Sequence, residues 1–212
     1  MTDNNSPFSA PPTELPTTEP PITPAKKPMS TTRIVLIVVA AVLVLGAFSV
    51  FRFIANAFEA AVDTRVAQAQ ELEPYVSVAE GFSVEAPGAA SLTSSDGTTE
   101  GVDYTQNVTV WKDGLYVITT IDFSAYEIED PELVLESSVS AMNEGMPGAT
   151  IRESENTTFN GSPAIIGILD IPKQPALRFV VALHNGIQYA LIVADFSNDR
   201  DENFIDSFRF LD

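Results

Sequence analysis

The 212-residue chain has no cysteine, a single histidine (His184) and a single tryptophan (Trp111). Without cysteine there is no disulfide, no thiolate metal site, no thiol nucleophile and no lipid-modified cysteine. One histidine excludes a multi-histidine metal centre. Basic residues are scarce too: 11 Lys and Arg face 29 Asp and Glu, for a formal charge of −18. That balance argues against nucleic acid, whose phosphates demand basic surface. The chain also lacks Gly-x-Ser-x-Gly, Ser-x-x-Lys, His-Glu-x-x-His and any Gly-rich phosphate loop.

What is present is unevenly distributed. Residues 1–33 hold eight of the fifteen prolines, among Ser, Thr and Asn, with too few apolar residues for a core. Such a segment cannot offset its ordering entropy, so a disordered tail with polyproline-II character is expected. Ile34 to Phe51 then reads IVLIVVAAVLVLGAFSVF, uncharged throughout and polar only at Ser49. As a helix it reaches about 27 Å, close to a hydrocarbon core of about 30 Å. A transmembrane helix over 34–55 is therefore expected, with the lipid bilayer as its partner.

Ala55-Asn56-Ala57 would supply small residues for signal cleavage, but the apolar run is longer than a secretory h-region and favours an uncleaved anchor. A short leading tail and a large following domain place the amino terminus in the cytoplasm and the carboxyl-terminal domain outside it. Charge divides at the same place. The chain through Arg52 carries a net +1 and the remainder a net −19. Residues 56–74 are rich in Ala, Glu and Gln, which predicts a helical stalk stopped at Pro74. The stalk is too short for convincing heptads and the span has no Gly-x-x-x-Gly, so the oligomeric state stays open.

Residues 75–212 change to strands and turns. Phe82–Ala86 is a short strand before Pro87-Gly88. Asp103–Trp111 and Leu115–Phe123 meet at Lys112-Asp113-Gly114, a hairpin signal. Asp130-Pro131-Glu132 opens a helix whose apolar face carries Leu135, Val139, Met142 and Met146, ending at Pro147-Gly148. Ala149–Phe159 and Pro163–Ile171 flank Asn160-Gly161; Leu177–His184 and Ile187–Asp195 flank Asn185-Gly186. The last pair is apolar on both faces, so both should be covered. Asp199–Phe210 is expected as a closing helix with Phe204, Ile205 and Phe208 inward. The fold class that follows is α+β, a sandwich of helices packed on a mainly antiparallel sheet.

Gly81-Phe82-Ser83-Val84-Glu85-Ala86-Pro87-Gly88 resembles the opening strand of bacterial PsbP-like domains. Gly161-Ser162-Pro163-Ala164 is similar to their mid-domain turn, and Tyr189-Ala190-Leu191 with Phe204-Ile205-Asp206-Ser207-Phe208 to their final strand and helix. The resemblance covers about residues 75–212 and implies an αβα sandwich. The superfamily includes a photosystem extrinsic subunit and a Ran-binding factor, so it implies no single activity.

No catalytic, cofactor-binding or metal-binding residue is assigned, and no cofactor is expected. His184 reads as a turn-flanking surface residue. Asp195, Ser197, Asp199, Asp201, Asn203 and Asp206 fall at the ligand positions of an EF-hand loop. Arg200 replaces its turn-making glycine and Asp206 its bidentate glutamate, so a helix cap with acidic first-turn residues is the simpler reading. Asn107 and Asn156 match the glycosylation pattern but read as unmodified strand residues. Three functions follow: an extracytoplasmic binding or assembly module with an unidentified protein or ligand partner, a carboxylate-dependent envelope hydrolase, or a transmembrane signalling scaffold using the Pro-rich tail.

Overall fold

The computed structural model describes residues 27–29, 71–99, 102–111, 116–146, 148–172, 174–194 and 199–211. In chain order the strands are β1 (Lys27–Met29), β2 (Leu72–Ser77), β3 (Phe82–Pro87), β4 (Ser91–Thr99), β5 (Val102–Trp111), β6 (Tyr116–Asp122) and β7 (Tyr126–Ile128). Helix α1 (Pro131–Gly145) leads to β8 (Thr150–Phe159), β9 (Ser162–Asp170), β10 (Leu177–His184) and β11 (Ile187–Ala194). Helix α2 (Asp199–Ser207) and β12 (Arg209–Phe210) close the chain. The fold is α+β and mostly antiparallel, as expected.

Seven strands form one antiparallel sheet in the order β4-β5-β6-β11-β10-β9-β8. Its centre is β10 and β11, joined through Asn185 and Gly186, both at positive φ (50° and 83°). Asn160 and Gly161 do the same between β8 and β9 (48° and 83°). Asn-Gly suits these two-residue turns because each position needs a left-handed backbone.

Side chains alternate across the sheet. On one face Val117, Phe179, Val181 and Ile192 pack under Leu135, Val139 and Met142 of α1. Asp130 caps that helix by accepting the Leu133 N–H at 3.1 Å, and Pro131 opens it. On the other face Ile118, Val180, Tyr189 and Leu191 meet Phe82, Val84 and Ala86 of β3 and Phe204, Ile205 and Phe208 of α2 and its exit. The covering layer there is mixed: α2 lies beside a small sheet ordered β12-β3-β2.

Several expectations are corrected. The stalk was expected to remain helical through Pro74, but Leu72–Ser77 is the edge strand of the small sheet. Tyr75 decides this, packing on Phe82 and edge-on to Trp111, and an edge strand tolerates Pro74. The closing helix ends at Ser207 rather than Phe210. Arg209–Phe210 instead pairs with β3, and Phe210 stacks on His184 at 4.3 Å between ring centroids. Lys27–Met29, within the tail expected to be disordered, pairs in parallel with β7. The expected span at 34–55 and stalk residues 56–70 lie outside the described residues, as does the Lys112-Asp113-Gly114 turn. Among the described residues no helix is long and apolar enough to cross a membrane.

Gly167 of β9 marks a close approach. A Cβ there would run into the Glu153 carbonyl of β8 and the Phe179 ring of β10. At Gly161 nothing lies within 4 Å, and only the positive φ opposes a side chain. Gly167→Ala is expected to cost about 2–3 kcal/mol through overpacking, and Gly161→Ala about 1 kcal/mol through backbone strain. Urea unfolding of both variants checks the difference. Equal losses would show that the ring and the neighbouring strand yield at little cost.

Candidate functional site

Three polar places stand out, and their chemistry differs. The first is Glu80, in the β2–β3 turn. It is 5% exposed and sits over the main sheet, where the buried Thr109 hydroxyl donates to its Oε2 at 3.3 Å. The Tyr189 hydroxyl donates to the Glu80 backbone carbonyl at 2.9 Å. Trp111, two residues along the same face of β5, keeps its indole N–H buried without a hydrogen-bond partner. Burial pushes the Glu80 carboxyl above the ordinary carboxylate range, opposed by hydrogen bonds from Ser77 and Thr109. Burial also pushes the Tyr189 phenol up to about 12, with the charges of Asp122 and Glu80 adding to it.

The second place is the His184 corner. The Asn185 side-chain amide lies 3.0 Å from Nε2 of the ring, and the Ser162 hydroxyl lies 2.8 Å from Nδ1. Ser162 is itself buried, at 6% exposure. With the Phe210 ring stacked on the imidazole, this pair latches β12 against the β8–β9 and β10–β11 turns. His184 is thus partly covered rather than a free surface group.

The third place is a cleft of about 670 Å³ at the end of the sheet, between the tips of β4 and β5 and the β6–β7 connection. It gathers three exposed aspartates, Asp96, Asp103 and Asp122, with the rings of Tyr104 and Tyr126. Each carboxylate is already oriented. Thr105 donates to Asp96 at 2.8 Å, Thr98 to Asp103 at 2.7 Å, and the Ser124 backbone N–H to Asp122 at 2.7 Å. Tyr104 lies across the ladder from Gly97, and its ring fills the space a side chain would take there. A second cleft of about 630 Å³ shares Tyr126 and continues along β7 to Pro163, Leu183 and Asn185.

Glu80 is enclosed, whereas the aspartates of the first cleft are open to solvent. That cleft, rimmed by hydrogen-bonded carboxylates and the rings of Tyr104 and Tyr126, suits a positively charged group.

The fold is similar to that of cyanobacterial PsbP from Synechocystis sp. PCC 6803. Identity is 16%, the TM-score is 0.43, and the match covers 68% of this chain and 95% of that one. A Pseudomonas aeruginosa protein of unknown function matches at 12% identity and a TM-score of 0.33, over 62% of this chain and 89% of that one. No family model and no curated protein matches the chain. The PsbP likeness is one of fold and brings no activity with it.

The EF-hand-like positions do not assemble within the described residues. Asp195 and Ser197 lie outside them, and Asn203 and Asp206 belong to α2. Among the described residues no group of three or more His, Asp or Glu is placed to hold a metal. The aspartate cleft was not anticipated from sequence. Its one signal was a run rich in Asp, Glu, Thr and Gly along 96–105, which resembles ordinary polar surface.

Glu80 links folding to pH. In the unfolded chain it ionises near its ordinary value of about 4.3, whereas in the folded chain it holds its proton to higher pH. Its contribution is therefore fully present at low pH and declines as pH rises from the unfolded value through the folded one. Glu80→Gln keeps an acceptor for Thr109 and removes the ionisation. Its Tm is expected to match the parent's near pH 4 and exceed it at pH 7. An equal offset at both pH values would exclude ionisation as the cause.

Proposed function

We propose that this chain is a single-pass membrane protein whose α+β domain works outside the cytoplasm as a binding or assembly module for a cationic partner. The observation that carries the reading is the acidic, pre-oriented cleft around Asp96, Asp103 and Asp122. Its carboxylates are held by hydroxyl and backbone donors, so little side-chain freedom is lost when a positively charged group docks. The uncharged run from Ile34 to Phe51 supports membrane attachment, since its length fits a bilayer core. A net charge of −19 beyond Arg52 supports a domain that stays clear of anionic lipid head groups.

The partner is a protein or ligand with clustered positive charge. Tyr104 and Tyr126 add ring faces on which ammonium or guanidinium groups can settle. The domain is proposed to act by binding and not by catalysis, with the bilayer contacted through 34–55.

Protease treatment of intact cells carrying different tags at the two ends tests the placement. The carboxyl-terminal tag is expected to be lost while the amino-terminal tag stays protected in the membrane fraction. Loss of the amino-terminal tag alone would reverse the topology, and a protein washed from membranes by carbonate would remove the anchor. For the cleft, Asp96→Asn with Asp103→Asn is expected to weaken retention of an oligolysine probe at least tenfold at low salt. Unchanged retention would locate cation binding elsewhere.

A further inference from the structure

The register of β1 on β7 has a topological consequence. Lys27, Pro28 and Met29 pair in parallel with Tyr126, Glu127 and Ile128, and these two strands form a sheet of their own. Paired strands lie about 5 Å apart. The proposed span at 34–55 falls between them in sequence, and a helix crossing the bilayer would place them at least about 30 Å apart on opposite sides. One molecule cannot hold the pairing and the span together.

We infer that β7 is a strand-addition site, that its occupant is the chain's own Lys27–Met29, and that membrane insertion of 34–55 empties it. Among the described residues β7 has no strand neighbour other than β1. Without β1 its edge is an open row of backbone groups, the kind of template to which an extended segment adds. Charge matches the occupant to the edge. From Asp122 to Glu132 the chain carries five acidic residues and no basic one, and the segment it receives follows Lys26 with Lys27. Proline also suits the occupant, because an added edge strand does not need every N–H. Both clefts border β7. The edge and the acidic surface thus become available together once the tail is drawn to the other side of the membrane. The inference rests on the single-span reading for its switch, while the strand-addition site itself stands on the observed register.

The absence of cysteine makes this directly testable. Pro28→Cys with Glu127→Cys, at partner positions and with Glu127 exposed, gives the 212-residue chain its only two thiols. A short bismaleimide is added after cell-free synthesis with or without lipid vesicles, and Pro12→Cys with Glu127→Cys serves as the control pair. Cross-linking within single chains is expected without vesicles and is expected to disappear from the carbonate-resistant fraction with them. No cross-link above the control in either sample would overturn the strand-addition site and leave the anchor standing. A cross-link in carbonate-resistant chains would show both segments on one side, overturning the emptying step and the single span together. If carbonate extracts every chain from the vesicles, and those chains cross-link, the anchor alone is overturned.

Discussion

The architecture depends on a hairpin that is apolar on both faces. In β10 and β11, Leu177, Phe179 and Val181 alternate with Val180 and Ala182, and Ala190 and Ile192 with Tyr189 and Leu191. A strand pair of this composition cannot leave either face in water. It therefore needs a layer on each side, and the chain supplies α1 to one and the β2–β3–β12 sheet with α2 to the other. The outer strands do not share this burden. Along β8 the side chains are exposed through Thr158, and β4 is almost entirely polar, so the two sheet edges are charged or hydroxyl-bearing. Such edges resist pairing with other chains.

That division of labour leaves the acidic residues of the domain in two different settings. Glu80 is drawn under the small sheet, where its carboxyl resists ionisation and its backbone anchors Tyr189. The aspartates at the β4–β5 tips stay in solvent, turned by threonines on the neighbouring strand. Buried and exposed acids in one domain thus have opposite roles: one affects stability, the others shape a surface. The His184 corner belongs with the first group, since stacking on Phe210 and the bond to Ser162 fasten the final strand.

Where sequence reading failed, it failed for local reasons. Strand β4 was missing from the expected elements because its run is polar and carries a glycine; in the fold Tyr104 across the ladder covers Gly97. The strand β2 was hidden by a preceding stretch of strong helix formers. Its conformation comes from Tyr75 meeting Phe82 and Trp111, residues seven and 36 positions further along. Arg209 and Phe210 continue a helical pattern, but the free edge of β3 claims them.

Other features were legible because their causes are local. The two Asn-Gly turns, the Asp130 cap with Pro131, and the apolar face through Leu135, Val139 and Met142 each follow from backbone or side-chain preferences within a few residues. The double-sided alternation of β10 and β11 was enough to require two covering layers. The sequence alone determined these elements, the acidity and the long apolar run. The tertiary structure alone decided which aspartates meet in a cleft, which glutamate is buried, and that Lys27–Met29 reaches β7. Those outcomes depend on contacts between residues distant in the chain, and no short-range pattern records which distant strand will lie alongside.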